Sequence, residues 1–143
     1  MNKPLEDVKA LLIEGVQGGI IPNEVSPLAL AYIGDAIYEI FVRTMVLSKG
    51  NAPVNKLHKQ SREYVNAKAQ SNMYHVIEEH LTEQEKAIFR RGRNAKSFTK
   101  PKNMDLSDYR YATGLEALFG FLYISGDMER ALMLFHIGVE AKI

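Results

Sequence analysis

Leu28 to Arg43 reads LALAYIGDAIYEIFVR, and apolar side chains recur through it at helical spacing. Leu30, Ile33, Ile37, Ile40 and Phe41 fall on one stripe, with Ala29, Tyr32 and Ala36 widening it, so the spacing predicts a helix buried on most of its circumference. Asp35 sits inside that apolar wrap. An ionised carboxylate buried alone costs several kcal/mol, comparable with a domain's whole margin of stability. A positive partner is therefore expected: a cation, Arg43 or another basic side chain.

A second stretch repeats the pattern. Tyr109 to Ile124 reads YRYATGLEALFGFLYI, and Glu116 is the one charge in its apolar run from Leu115 to Ile124. Small residues lie beside both acids: Ala31 is one turn before Asp35, while Ala112 and Gly120 lie four residues either side of Glu116. Such gaps leave room for an ion and its waters. Two isolated carboxylates on two apolar helices suggest convergence on a shared divalent metal with oxygen ligands. The structural alternative pairs Asp35 with an arginine and lets Glu116 snorkel to the surface.

The 143 residues, 46% of them hydrophobic, suit one globular domain with a sizeable core. Cysteine is absent, which excludes disulfides and thiolate metal sites, and no signal-peptide pattern is present, so a cytoplasmic protein is the simplest expectation. No membrane span is expected, because Asp35 and Glu116 interrupt the two most apolar helices short of the roughly 20 residues needed.

Around these two helices the pattern is helical throughout. A short amphipathic helix is expected from Pro4 to about Glu14, with Leu5, Val8, Leu11 and Leu12 on one face. Ser26-Pro27 matches an N-cap followed by proline at the first helical position, and the central helix should end near Ser48, before Gly50. From Pro53 a third region carries Leu57, Tyr64, Val65, Ala69, Met73, Val76 and Ile77 on one side and Lys56, Lys59, Arg62 and Lys68 on the other, with a break near Ser61. Thr82 and Glu85 form a capping box for the next helix, and a last helix runs from Met128 to about Lys142. No strand, repeat or low-complexity tract is evident.

Charge is distributed unevenly. Lys86 to Lys102, KAIFRRGRNAKSFTKPK, holds seven basic residues and no acid, leaving 11 Lys and Arg against 17 Asp and Glu elsewhere, a formal −6. The Gly, Asn, Ser, Thr and Pro among these cations predict an ordered loop presenting side chains and backbone N–H groups to phosphates, against the plainer reading of a solvated basic loop. His58, His75, His80 and His136 show no ligand spacing, and neither a phosphate-binding glycine loop nor a nucleophilic serine context is present.

YIGDAIYEIFVR (residues 32–43) resembles the signature helix of the ribonuclease III catalytic domain, LExLGDAxLxL, and LEALFGFLYISGD (residues 115–127) resembles the VEAxxGAxYLxxG of its second acidic helix. RGRNAKSFTKPKN (residues 91–103), followed by DLSDYRYATGLEAL, resembles the Mini-III branch, whose members lack the appended double-stranded RNA-binding domain. The likeness runs from about Ser26 to Asp127. It implies an all-α ribonuclease III fold, a homodimer, and Mg²⁺-dependent cleavage of double-stranded RNA, with Mn²⁺ able to substitute. Precursor 23S ribosomal RNA is the substrate it implies, and 5′-phosphate and 3′-hydroxyl ends are the products.

Carried over residue by residue, Asp35 matches the aspartate of the GDA motif and Glu116 the glutamate of the EAL motif, the catalytic metal ligands. The wider family has further acids four residues before the aspartate and three before the glutamate; here those positions hold Ala31 and Thr113. Two carboxylates leave water and phosphate oxygens to complete the octahedron, as Mg²⁺ tolerates. Arg91, Arg93, Asn94, Lys96, Ser97, Lys100 and Lys102 offer donors for the phosphates and 2′-hydroxyls of a duplex, and a ribosomal protein could help select the site. Exposed apolar residues of the central helix, Tyr38 and Phe41 among them, are expected at the dimer surface. Two rivals remain at this point. One is a non-catalytic RNA-binding or ribosome-associated module on the same fold, and the other a helical phosphohydrolase, which activity on mononucleotides would reveal.

Overall fold

Ser26 and Pro27 start the central helix as their types dictate: the Ala29 N–H donates to Ser26 Oγ (3.3 Å), and Pro27 takes the first helical position. The computed structural model describes residues 19–96 and 105–141, and among them all regular elements are helical. Six α-helices follow one another: α1 (Pro27–Ser48), α2 (Val54–Arg62), α3 (Ala67–Ile77), α4 (Glu83–Asn94), α5 (Leu106–Ile124) and α6 (Met128–Ala141). The predicted helix from Pro4 to Glu14 lies outside the described residues.

The expected break falls between α2 and α3, a few residues after Ser61. Asn66 places it, accepting from the Ala69 N–H (2.8 Å) while its own amide donates to the Arg62 carbonyl (2.7 Å). The Thr82–Glu85 capping box opens α4, each side chain bonded to the other's backbone N–H. At the far end of α5, Asp127 N–H donates to the Leu122 carbonyl (2.7 Å) and Gly126 N–H to that of Tyr123 (3.0 Å). Gly126 has a φ of +82°, which glycine adopts without penalty, and this turn aims α6 back over the core.

α5 is the axis of the molecule. From Ala112 to Ile124 its residues are buried except Thr113 and Glu116, because α1, α3, α4 and α6 all pack on it. Tyr38 and Phe41 from α1, Phe119 from α5 and Phe135 from α6 form an aromatic cluster with ring centroids 5.4–6.0 Å apart. Tyr38 and Phe41 are thus core residues and not surface ones, which corrects the dimer-surface expectation for both.

α1 also departs from the sequence reading. Leu30, Ile37, Phe41, Val42 and Val46 are buried, but Ala29, Ala36 and Asp35 are exposed, as are Tyr32 (82%) and Ile40 (58%). The spacing predicts one surface buried on most of its circumference; among the described residues the helix divides into a core face and an uncovered face.

Candidate active site

The site forms where α1 crosses α5. A Cβ on Gly34 would strike the backbone carbonyl of Glu116, and one on Gly120 would strike that of Leu30, so the two helices approach backbone to backbone. Gly120, expected to leave room beside Glu116, therefore serves this close approach together with Gly34. Its consequence is that Asp35, next to Gly34, stands beside Glu116.

Glu116 is partly buried and the Gln70 amide of α3 donates to its Oε2 (3.1 Å). Burial pushes its carboxyl up; the Gln70 hydrogen bond opposes that, while the charge of Asp35 and a hydrogen bond between the two carboxyls reinforce it, and the result is a pKa of about 8. Neither neighbour of Glu116 in this balance is a cation. Arg43, a partner considered for Asp35, instead donates from Nε to Glu39 Oε2 (2.8 Å). Asp35 is exposed, so the desolvation argument that singled it out fails for Asp35 and applies to Glu116.

Two carboxyl groups from different helices, held together with no cation among the described residues acting on Glu116, suit a hard divalent ion, whose charge would relieve their repulsion. Among the described residues no group of three or more His, Cys, Asp or Glu could hold a metal ion, so the protein would supply two carboxylates and leave other positions to water or substrate oxygens. Ala31 and Thr113 add no charge there.

The basic stretch is helical in its first half. Lys86 to Asn94 belongs to α4, and Gly92, read as a loop glycine, is buried where a Cβ would meet Ala117 Cβ at 2.7 Å. Arg91, Asn94 and Lys96 are exposed at the end of this helix or just beyond it. Arg93 is half-buried: its guanidinium lies 5.8 Å from the Phe89 ring centroid and 5.9 Å from that of Tyr111, and its Nε donates to Asn94 Oδ1 (3.2 Å). Ser97, Lys100 and Lys102 lie outside the described residues.

Sequence reasoning missed Gln70. The available signal was its polar amide amid the apolar residues Ala69, Met73, Tyr74 and Ile77 of the third region. It also missed Arg130, which makes two 2.8 Å hydrogen bonds to buried Glu85 and a third, 2.7 Å, to the His80 carbonyl.

The profile of the Ribonuclease III domain matches residues 28–127, which span α1 through the turn after α5. A Mini-ribonuclease 3 of Thermoanaerobacter sp. (strain X514) is 46% identical over 136 residues, covering 95% of this chain and 92% of the relative. A Mini-ribonuclease 3 of Clostridium tetani (strain Massachusetts / E88) is 50% identical over 109 residues, covering 76% of this chain and 72% of the relative. A crystal structure of a Fusobacterium nucleatum protein superposes with a TM-score of 0.75 at 34% identity, covering 84% of this chain and 96% of that one. Helical fold and matched profile together define a ribonuclease III domain. The chain belongs to the ribonuclease III family, in its Mini-ribonuclease 3 branch, and is an endoribonuclease of that family. The non-catalytic module and the nucleotide phosphohydrolase are thereby set aside.

Proposed function

We propose that this endoribonuclease cuts double-stranded RNA with the help of Mg²⁺, or Mn²⁺ in its place, held by Asp35 and Glu116, and that it matures precursor 23S ribosomal RNA. The observation that carries this reading is the side-by-side placement of the two carboxyls across the α1–α5 crossing, with no cation among the described residues acting on Glu116. When bound, such an ion supplies a Lewis acid that activates water and offsets charge on the phosphate.

The chain's own groups do the rest. Gln70 holds Glu116 in place, and the exposure of Asp35 leaves that end of the site open to a duplex too wide to enter a cavity. Arg91, Asn94 and Lys96 meet phosphates and 2′-hydroxyls, joined by Ser97, Lys100 and Lys102 from the same stretch. Arg93, pinned over Phe89 and Tyr111, presents a guanidinium whose orientation is largely fixed before RNA arrives.

The uncovered face of α1 supports a homodimer. Leu28, Tyr32, Ile40 and Leu47 are exposed along it on either side of Asp35, a stripe that a second copy would cover. Two sites related by a two-fold axis each cut one strand, giving staggered ends with 5′-phosphates and 3′-hydroxyls. Binding through phosphates is salt-sensitive, so folded ribosomal RNA or a ribosomal protein helps select the cleavage point in the cytoplasm. Among the described residues, no helix is long and apolar enough to cross a membrane.

The test is digestion of a long duplex, its separate single strands and a precursor 23S fragment, with Mg²⁺, with Mn²⁺ and with EDTA. Staggered cuts in duplex and precursor with either ion, and none with EDTA, are expected. Equal cutting of single strands, or cutting that survives EDTA, would overturn the reading.

A further inference from the structure

Gln70 belongs to neither helix that carries an acid. It lies on α3, one turn beyond the Asn66 cap, where its own N–H donates to the Asn66 carbonyl (3.0 Å), and it is 4% exposed. A primary amide buried this deeply must find partners, and its Nε2 donates to one oxygen of Glu116. We propose that Gln70 is a positioning residue for the metal site, fixing the Glu116 carboxylate for a divalent cation through the 3.1 Å hydrogen bond from its amide. The inference rests on the reading of Asp35 and Glu116 as the ligands.

Two features give the bond this role beyond satisfying a buried amide. The first is charge. A lysine or arginine in the same place would neutralise the carboxylate pair and compete with the ion, whereas a neutral amide orients Glu116 and leaves the negative charge intact. The second is number. With two carboxylates and no third acid or histidine assembled among the described residues, a freely rotating Glu116 would remove half of the protein's ligands at once. Partners that orient metal ligands commonly contribute about 10–100-fold in metal affinity.

Mn²⁺ alone is the probe, titrated against wild type, Gln70→Met, Gln70→Ala and Glu116→Gln while the free-ion electron paramagnetic resonance signal is followed. Circular dichroism in EDTA checks folding, and duplex RNA affinity in EDTA reports on the rest of the surface. Gln70→Met keeps the length and removes the donor; Gln70→Ala carries the test if the longer side chain disturbs folding. The expected result is an Mn²⁺ dissociation constant raised about 10–100-fold in the folded Gln70 variants, with RNA affinity in EDTA unchanged, and binding abolished in Glu116→Gln. A folded Gln70 variant that binds Mn²⁺ within twofold of wild type, while Glu116→Gln does not bind, overturns the role of Gln70 alone. If wild type takes up no Mn²⁺, or Glu116→Gln takes it up equally, the metal-site reading falls and this inference with it.

Discussion

Glu85 and Glu116 are two acids set into the same helical core, and the protein treats them oppositely. Glu85, 5% exposed, is met by Arg130 through two 2.8 Å hydrogen bonds and by the backbone N–H of Thr82. Burial would raise its pKa, yet these partners outweigh it and hold the carboxyl below the usual range. Glu116 receives a neutral amide and a second acid, and is pushed up to about 8. Among the described residues, charge balance is complete at Glu85 and incomplete at Glu116. A closed ion pair ties α4 to α6; a pair of acids without a cation has its affinity available for one from outside.

The largest effect expected from this contrast lies on the closed side. Glu85→Ala leaves the guanidinium of Arg130 without its acid and removes half of the α4 capping box, and Arg130→Ala leaves Glu85 buried and unpaired. Each should cost about 2–3 kcal/mol in urea unfolding, below the range for fully buried pairs because Arg130 is partly exposed. Cleavage per folded molecule should not change. A fall in specific activity matching that of an active-site variant would break the distinction between the two glutamates.

A smaller effect separates them by pH. The folded pKa of Glu85 is lowered, so its contribution is present above the unfolded carboxylate value, roughly 4.3, and is lost as pH falls through the folded value. Glu116 has the opposite sign. Its folded pKa of about 8 means that the folded protein binds the proton more tightly, so stabilisation is full below roughly pH 4.3 and is lost as pH rises through about 8. Thermal midpoints in EDTA should therefore decline toward pH 9 in wild type and less in Glu116→Gln, and Mg²⁺ should restore the wild-type loss. Equal declines in both proteins would contradict the assignment.

Much of this was legible in the sequence where a local rule acts alone. Ser26-Pro27 and Gly50 bracket α1, and the Thr82–Glu85 box opens α4, because caps and breakers work within a few residues. The meeting of Asp35 with Glu116 was expected from the apolar residues that flank each acid, Leu28 to Tyr38 around Asp35 and Leu115 to Ile124 around Glu116. What the sequence could not show depends on partners far along the chain. Asp35 lies on a face of α1 that the described residues leave exposed, and hydrophobic periodicity does not say which apolar face is covered. α4 continues to Asn94 because Gly92 packs on α5, so a glycine among cations that reads as a loop is a packing residue. Gln70 and Glu116 are 46 positions apart, and Glu85 and Arg130 are 45 apart, beyond the reach of any local pattern.

The central claim is that Asp35 and Glu116 act as one open pair that the reaction requires. The direct measurement is the rate of duplex RNA cleavage in Mg²⁺ by Asp35→Asn and Glu116→Gln, each shown by circular dichroism to be folded and assayed in parallel for duplex binding. Both variants are expected to lose at least about a hundredfold in rate while binding the duplex as wild type does. A folded Asp35→Asn or Glu116→Gln that cuts duplex RNA at the wild-type rate would contradict it.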